Sequence, residues 1–190
     1  MKKIEFLPIL LVAVSVVSVS CNKTEDDPTV IYTSFNKTVI SALPATIDSF
    51  DLNLDTKSDF GILAGRNAAG DTAAIYFIAI DNGAGYIDST QNLGIVFGSV
   101  SLQKGEAPEK LGSAVKWGKR FIIAAKFNTN IYGYAGAGDR YIPVLLQNPI
   151  TGKFHYGWVR VNVSSDYVTF KLIDAAYNLV PDVPVKMGVR

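Results

Sequence analysis

The apolar residues of this chain come in short runs, and no stretch sustains a 3.6-residue period. "AAIYFIAI" (73–80) and "RFIIAAKF" (120–127) are continuous apolar runs of strand length, suited to strands covered on both faces. "DNGAGY" and "NPITGK" supply the Asn, Gly and Pro that turns require. "YIPVLLQ", "NPITGK" and "FHYGWVRVNV" read in succession as a hairpin, with "YVTFKLID" (167–174) as its next strand. Pro143 has no N–H to give a ladder, which demotes the early part of its strand to an edge or a bulge. Phe50, Leu52 and Leu54 alternate with Asp51, Asn53 and Asp55, predicting a half-buried strand. "GEAPEKLGSAVKW" (105–117) reads as a long loop. Regular spacing of short strands between turns predicts an all-β fold over 30–190. The expected form is an antiparallel β-sandwich of jelly-roll type or a partly closed barrel, in a single domain.

The first twenty residues have a different composition. Lys2 and Lys3 lead into "FLPILLVAVSVVSVS", which ends at Cys21. A charged start, a short apolar run and a small-residue exit are the pattern of a signal peptide, here 1–20. The run is broken by Pro8 and serines, and a permanent span needs about 20 consecutive apolar residues. Cleavage after Ser20 leaves 170 of the 190 residues, with 16 basic and 16 acidic side chains. That chain is long enough for one proper core, and it has no basic excess to attract nucleic-acid phosphates. One cysteine excludes an internal disulfide.

Cys21 falls at the cleavage point, where "SVSC" resembles the lipobox of bacterial lipoproteins, with Ser18 in place of the usual leucine. Ser18 and Ser20 also suit the small-x-small rule of ordinary signal peptidase at the same bond. The lipobox resemblance implies acylation of Cys21 and a membrane partner through that anchor. Stable attachment needs more than one acyl chain, and such lipoproteins carry two or three. "NKTEDDP" then reads as a flexible tether within 21–29. Lys23 followed by Glu25, Asp26 and Asp27 resembles the surface-export signal of Bacteroidetes lipoproteins, and Asn22 is compatible with an outer membrane.

"FHYGWVRVNVSS" (154–165) holds the single histidine of the chain beside a tryptophan and an arginine. As a strand it places Phe154, Tyr156, Trp158, Arg160 and Asn162 on one face and His155, Gly157, Val159, Val161 and Val163 on the other. His155 is therefore expected to lie across the strand from Trp158 and Arg160, as a strand-end residue with an ordinary hydrogen-bond partner. Tyr156, Gly157, Trp158 and Arg160, followed by Asp174, Ala176 and Tyr177, resemble the YGW-x-R / D-x-A-Y β module of PEP-CTERM-type anchored bacterial proteins. The resemblance covers roughly the last fifty residues, implies an exported β domain, and brings no catalytic residue.

Enzyme chemistry is thinly represented. One histidine rules out a His-rich metal site, and no HExxH, Cys-pair, G-x-S-x-G or P-loop pattern occurs. No catalytic residue, metal or cofactor is expected. "DNGAGYID" (81–88) lacks EF-hand spacing. Paired carboxylates in a glycan hydrolase need only spatial proximity, about 5–5.5 Å or 6.5–9.5 Å, and Asp81, Asp88, Asp139 and Asp166 are the candidates. The expected contact surface is the loop "NTNIYGYAGAGDRY" (128–141). There Tyr132, Tyr134 and Tyr141 offer flat amphipathic area, and Asn128, Asn130, Asp139 and Arg140 offer fixed polar groups. The sequence therefore predicts a non-enzymatic outer-membrane lipoprotein that binds a glycan or a surface protein. A glycan-acting hydrolase and a surface-filament subunit are the alternatives.

Overall fold

The computed structural model describes residues 28–80, 83–92, 97–99, 102–106 and 115–190. Twelve strands and no helix occupy them: β1 (Val30–Ile40), β2 (Thr46–Phe50), β3 (Phe60–Arg66), β4 (Thr72–Ala79), β5 (Gly83–Asn92), β6 (Phe97–Ser99), β7 (Val115–Gly118), β8 (Arg120–Phe127), β9 (Asn130–Gly133), β10 (Arg140–Gln147), β11 (Phe154–Val163) and β12 (Thr169–Asn178). The hydrogen-bonded order is β1-β12-β11-β10-β5-β6-β8-β4-β3-β2, with β7 on β5 and β9 on β8. This path folds over on itself as two packed layers without closing a barrel, a β-sandwich. All the described strand pairings are antiparallel except β6 with β8.

One core fills the space between the layers. Phe60, Ile62, Ile75, Phe77 and Phe121 face Ile142, Val144, Val159, Val161 and Phe170, all 0–1 % exposed. The uninterrupted apolar runs are explained by cover on the outer faces as well. Behind β8, Ile122 and Ala125 lie under Tyr132 of β9. Gly133 permits that hairpin at φ +78°, since a Cβ there would lie 2.0 Å from the Ile123 carbonyl oxygen. Behind β11 and β12, the C-terminal tail lays Val185 and Met187 over Trp158, Tyr141 and Ala176. The ladder from β10 to β5 begins at Val144, just after Pro143, which has no N–H to contribute.

The end strands β1 and β2 meet at a seam that is not hydrogen-bonded strand to strand. Phe35 packs edge-on to Phe50 at 5.2 Å, and Lys37 donates to Asp48 across it. The sandwich has two poles. At the near pole β1 begins, and the Leu179 N–H donates to the Thr29 carbonyl. The near pole also carries residues 51–59, the 148–153 turn and the start of the tail. At the far pole lie 41–45, 67–71, 134–139 and 164–168.

Three local expectations are corrected. Residues 51–55 are not a strand: β2 stops at Phe50, and the Asp51 carboxylate accepts N–H bonds from Leu54 and Thr56, both at positive φ. A side chain that bonds its own backbone competes with a ladder. The 105–117 segment is not loop throughout, because Val115–Trp117 lies in β7. Nor is 128–141 one loop, because β9 and the start of β10 occupy much of it.

Candidate functional site

The near pole holds an open cleft of about 330 Å³, within the size range of small-ligand sites. Asn53 and Asp55 enter it from the 51–59 loop, Gln147 and Asn148 from the end of β10, His155 from β11, and Tyr177 and Leu179 from the end of β12. The loop is built from carboxylates and amides that accept backbone N–H groups. Besides the Asp51 bonds, Asn53 accepts from Asp55 at 2.9 Å and Asp55 from Lys57 at 2.9 Å. Asp59 closes the loop by accepting from Leu52 at 2.7 Å and Asn53 at 3.3 Å. Tyr177 reaches up from the floor, its hydroxyl 3.5 Å from the Asn53 carbonyl.

The polar groups of the cleft are held with one end tied. Gln147 donates through Nε2 to the Gly152 carbonyl at 3.1 Å, which fixes its amide carbonyl. Asn148 accepts through Oδ1 from Ile150 and Thr151, which fixes its NH2 group. His155 Nδ1 lies 2.9 Å from the Asn178 carbonyl. A carbonyl only accepts, so Nδ1 donates to it, and Nε2 is the ring nitrogen left to meet a ligand. Fixed donors and acceptors of both kinds therefore line one depression over an aromatic floor, an arrangement that can bind a polyhydroxylated ligand.

The local field is acidic. Burial pushes the Asp59 carboxyl up to about 6; its backbone hydrogen bonds oppose this, and Asp51 and Asp55 add to it. Tyr177 is raised as well, by burial first and then by Asp59, Asp51 and Asp55.

The expected contact residues do not come together. Tyr141 is 5 % exposed and stands edge-on to Trp158 at 5.1 Å, in the packing beneath the tail. Tyr134 packs against the main core. Tyr132 covers the outer face of β8, edge-on to Phe127 at 6.1 Å. Asp139 accepts from Asn162 at 2.8 Å, and the Arg140 guanidinium donates to the Asp139 carbonyl at 2.9 Å. The expectation that these tyrosines stand exposed on one side is thus corrected: strand pairing sends the three into three different packing environments. Cys21 and Asp81 lie outside the described residues. Asp166 caps a far-pole turn by accepting from Ser164 and from the Val168 N–H.

The quoted C-terminal pattern has a physical basis in two neighbouring strands. Gly157 pairs with Tyr177, Trp158 with Ala176 and Arg160 with Asp174. A Cβ on Gly157 would lie 2.4 Å from the Ala176 carbonyl oxygen, so the close approach requires glycine. Asp174, 1 % exposed, accepts from Arg160 Nε at 2.8 Å and again from its Nη2, and from the Tyr32 hydroxyl at 2.7 Å. The C-terminal Arg190 stacks on Tyr32 at 4.3 Å and reaches the same carboxylate at 3.5 Å. Buried charge is tolerated here because its hydrogen bonds are made. His155 sits on the opposite face from Trp158 and Arg160, with an ordinary carbonyl partner, as its strand position predicts. Compared with known proteins, the chain matches no family model, no curated protein and no solved structure.

Proposed function

We propose that this chain is an outer-membrane lipoprotein, held by acylated Cys21, whose β-sandwich binds a glycan without transforming it. The observation that carries the binding reading is the near-pole cleft. Three amides, a carboxylate and an imidazole, each tied at one end, surround the Tyr177 floor. Hydroxyl-rich ligands are recognised by such fixed donors and acceptors beside an aromatic surface. The non-enzymatic reading is supported by how the carboxylates of the 51–59 loop are used: both oxygens of Asp51 and one oxygen each of Asp55 and Asp59 accept backbone N–H groups and hold the loop. Asp139 and Asp166 lie at the other pole. The filament alternative gains little from the β1/β2 seam, which Phe35–Phe50 and Lys37–Asp48 already span.

The test is retention on a panel of soluble and lipid-borne glycans. The pair Gln147→Ala with His155→Ala should weaken retention at least tenfold, about 1.4 kcal/mol, with the melting temperature followed in parallel. The pair Tyr132→Ala with Tyr134→Ala should leave retention unchanged. Retention that survives the cleft substitutions removes the cleft from the account. Hydrolysis of any glycan by the wild type overturns the non-enzymatic reading.

A further inference from the structure

Among the described residues the exposed large aliphatic and aromatic side chains are unevenly placed: six lie at the near pole, against Ile40, Leu43 and Ile47 at the far pole and Ile131 on β9. Ile150, 92 % exposed, tips the β10–β11 turn, and Phe154 opens β11. Leu179, Val180 and Val183 follow β12, and Leu54 stands on the 51–59 loop. All six are at the near pole. The tail is fixed beside Phe154 by a pair of bonds, Asp182 N–H to the Phe154 carbonyl at 2.7 Å and Phe154 N–H to Asp182 Oδ1 at 3.3 Å. Single exposed apolar residues are ordinary; a group of them at one end marks a contact surface.

We propose that the near pole docks on the bilayer surface through Ile150, Phe154, Leu179, Val180 and Val183. The occupant follows from where the chain leaves the fold. The Thr29 carbonyl accepts from Leu179 itself, so the segment leading back to Cys21 departs from the middle of the apolar group. The eight steps from Cys21 to Thr29 reach at most about 28 Å when fully extended. The sandwich is longer than that: the ten residues of β12 make nine steps and span about 30 Å, and the far-pole turns lie beyond them. An anchored Cys21 therefore cannot let the far pole rest on the membrane with the near pole turned away. Lys57, Lys119 and Lys153 are offset at this pole by Asp51, Asp55, Asp59 and Asp182. Apolar contact carries the docking, and added salt leaves it in place. Docked this way, the cleft lies at the headgroup layer, where membrane-borne glycans are its accessible ligands. The inference rests on the proposed acylation of Cys21.

The test uses the full chain purified from membranes, with acylation of Cys21 checked by intact mass. It is reconstituted on phosphatidylethanolamine–phosphatidylglycerol vesicles. An environment-sensitive fluorophore is placed at Ile150→Cys or, at the far pole, at Leu43→Cys, a site 68 % exposed. The label at 150 should shift to shorter wavelength and be quenched by a lipid-borne quencher, at low salt and at about 0.5 M salt, where the Debye length is only a few ångströms. The label at 43 should do neither. An acylated protein whose two labels are equally exposed to water overturns the docking and leaves the anchor standing. A mature chain with unmodified Cys21 that stays in solution overturns the anchor, and the docking with it.

Discussion

At the near pole the backbone of residues 51–59 is held by the carboxylates of Asp51, Asp55 and Asp59; at the far pole the crossings are held mainly by carbonyls. Ser41 N–H donates to Val168, Arg66 to Ala42, Asn128 to Asp71 and Gly136 to Val163, each to a backbone oxygen. The two finishes have different consequences. Carbonyl-laced loops lie close against the sandwich. The loop stitched by its own acidic side chains buries Leu52 in the core and turns Asn53 and Asp55 to a cleft. The titrating groups at the two ends also move in opposite directions. Asp59 is raised by burial, whereas Asp71 and Asp166 are lowered by side-chain hydrogen bonds from Asn67 and Ser164. One sandwich thus carries an end that is closed over and an end that keeps an open cleft.

The largest expected effect lies between the poles. Trp158 is 1 % exposed beneath the tail, and Trp158→Ala should cost about 3–5 kcal/mol, read from chemical denaturation. Both poles should melt together in that variant. Separate transitions for the two ends would show that they do not share one frame.

A smaller effect separates the poles by pH. Asp59 has a folded value of about 6 against about 3.9 in an unfolded chain. The folded state holds the proton more tightly, so this contribution to stability is complete below pH ~4 and is lost as pH rises through about 6. Asp59→Asn keeps an acceptor for Leu52 and Asn53 without the charge. It should therefore gain about 1 kcal/mol over wild type at pH ~8, after discounting for solvent screening, and nothing near pH ~4. A variant destabilised at every pH would show that the two N–H groups need a carboxylate.

The smallest effect belongs to the far pole. Asp139→Ala removes the bond to Asn162 and a 3.6 Å contact with Arg160 at an exposed site, and should cost less than about 1 kcal/mol. A larger loss would mean that the Arg160–Asp174 pair depends on this outer carboxylate.

The strands were legible because burial writes itself into residue type. The valine face of 159, 161 and 163, the two apolar runs and the 148–153 turn all stand where their composition places them. The site was less legible. "DLNLDTKSD" (51–59) alternates like a strand, yet Asp51, Asn53, Asp55 and Asp59 are also turn formers, and their density was the signal for a loop. The tyrosines of 128–141 resemble a contact surface because an aromatic reads alike whether it faces water or a neighbouring layer. Only the pairing of β8 with β9, and the tail over Trp158, decides between those cases. The cleft itself joins residues 53 and 55 with 147, 148, 155 and 177, a proximity set by layer packing that no local pattern encodes.

The most direct measurement of the central claim, that function gathers at the near pole, is amide hydrogen exchange read by mass spectrometry. The acylated chain would be compared with its Cys21→Ser variant, each mixed with vesicles of extracted outer-membrane lipid, which offer both a bilayer surface and membrane-borne glycans. Exchange in the acylated chain should slow across 51–59, 148–154 and 179–183 and stay unchanged across 41–45, 67–71 and 134–139. Slowing confined to the far-pole segments, or absent from both ends of a membrane-bound chain, would contradict the account.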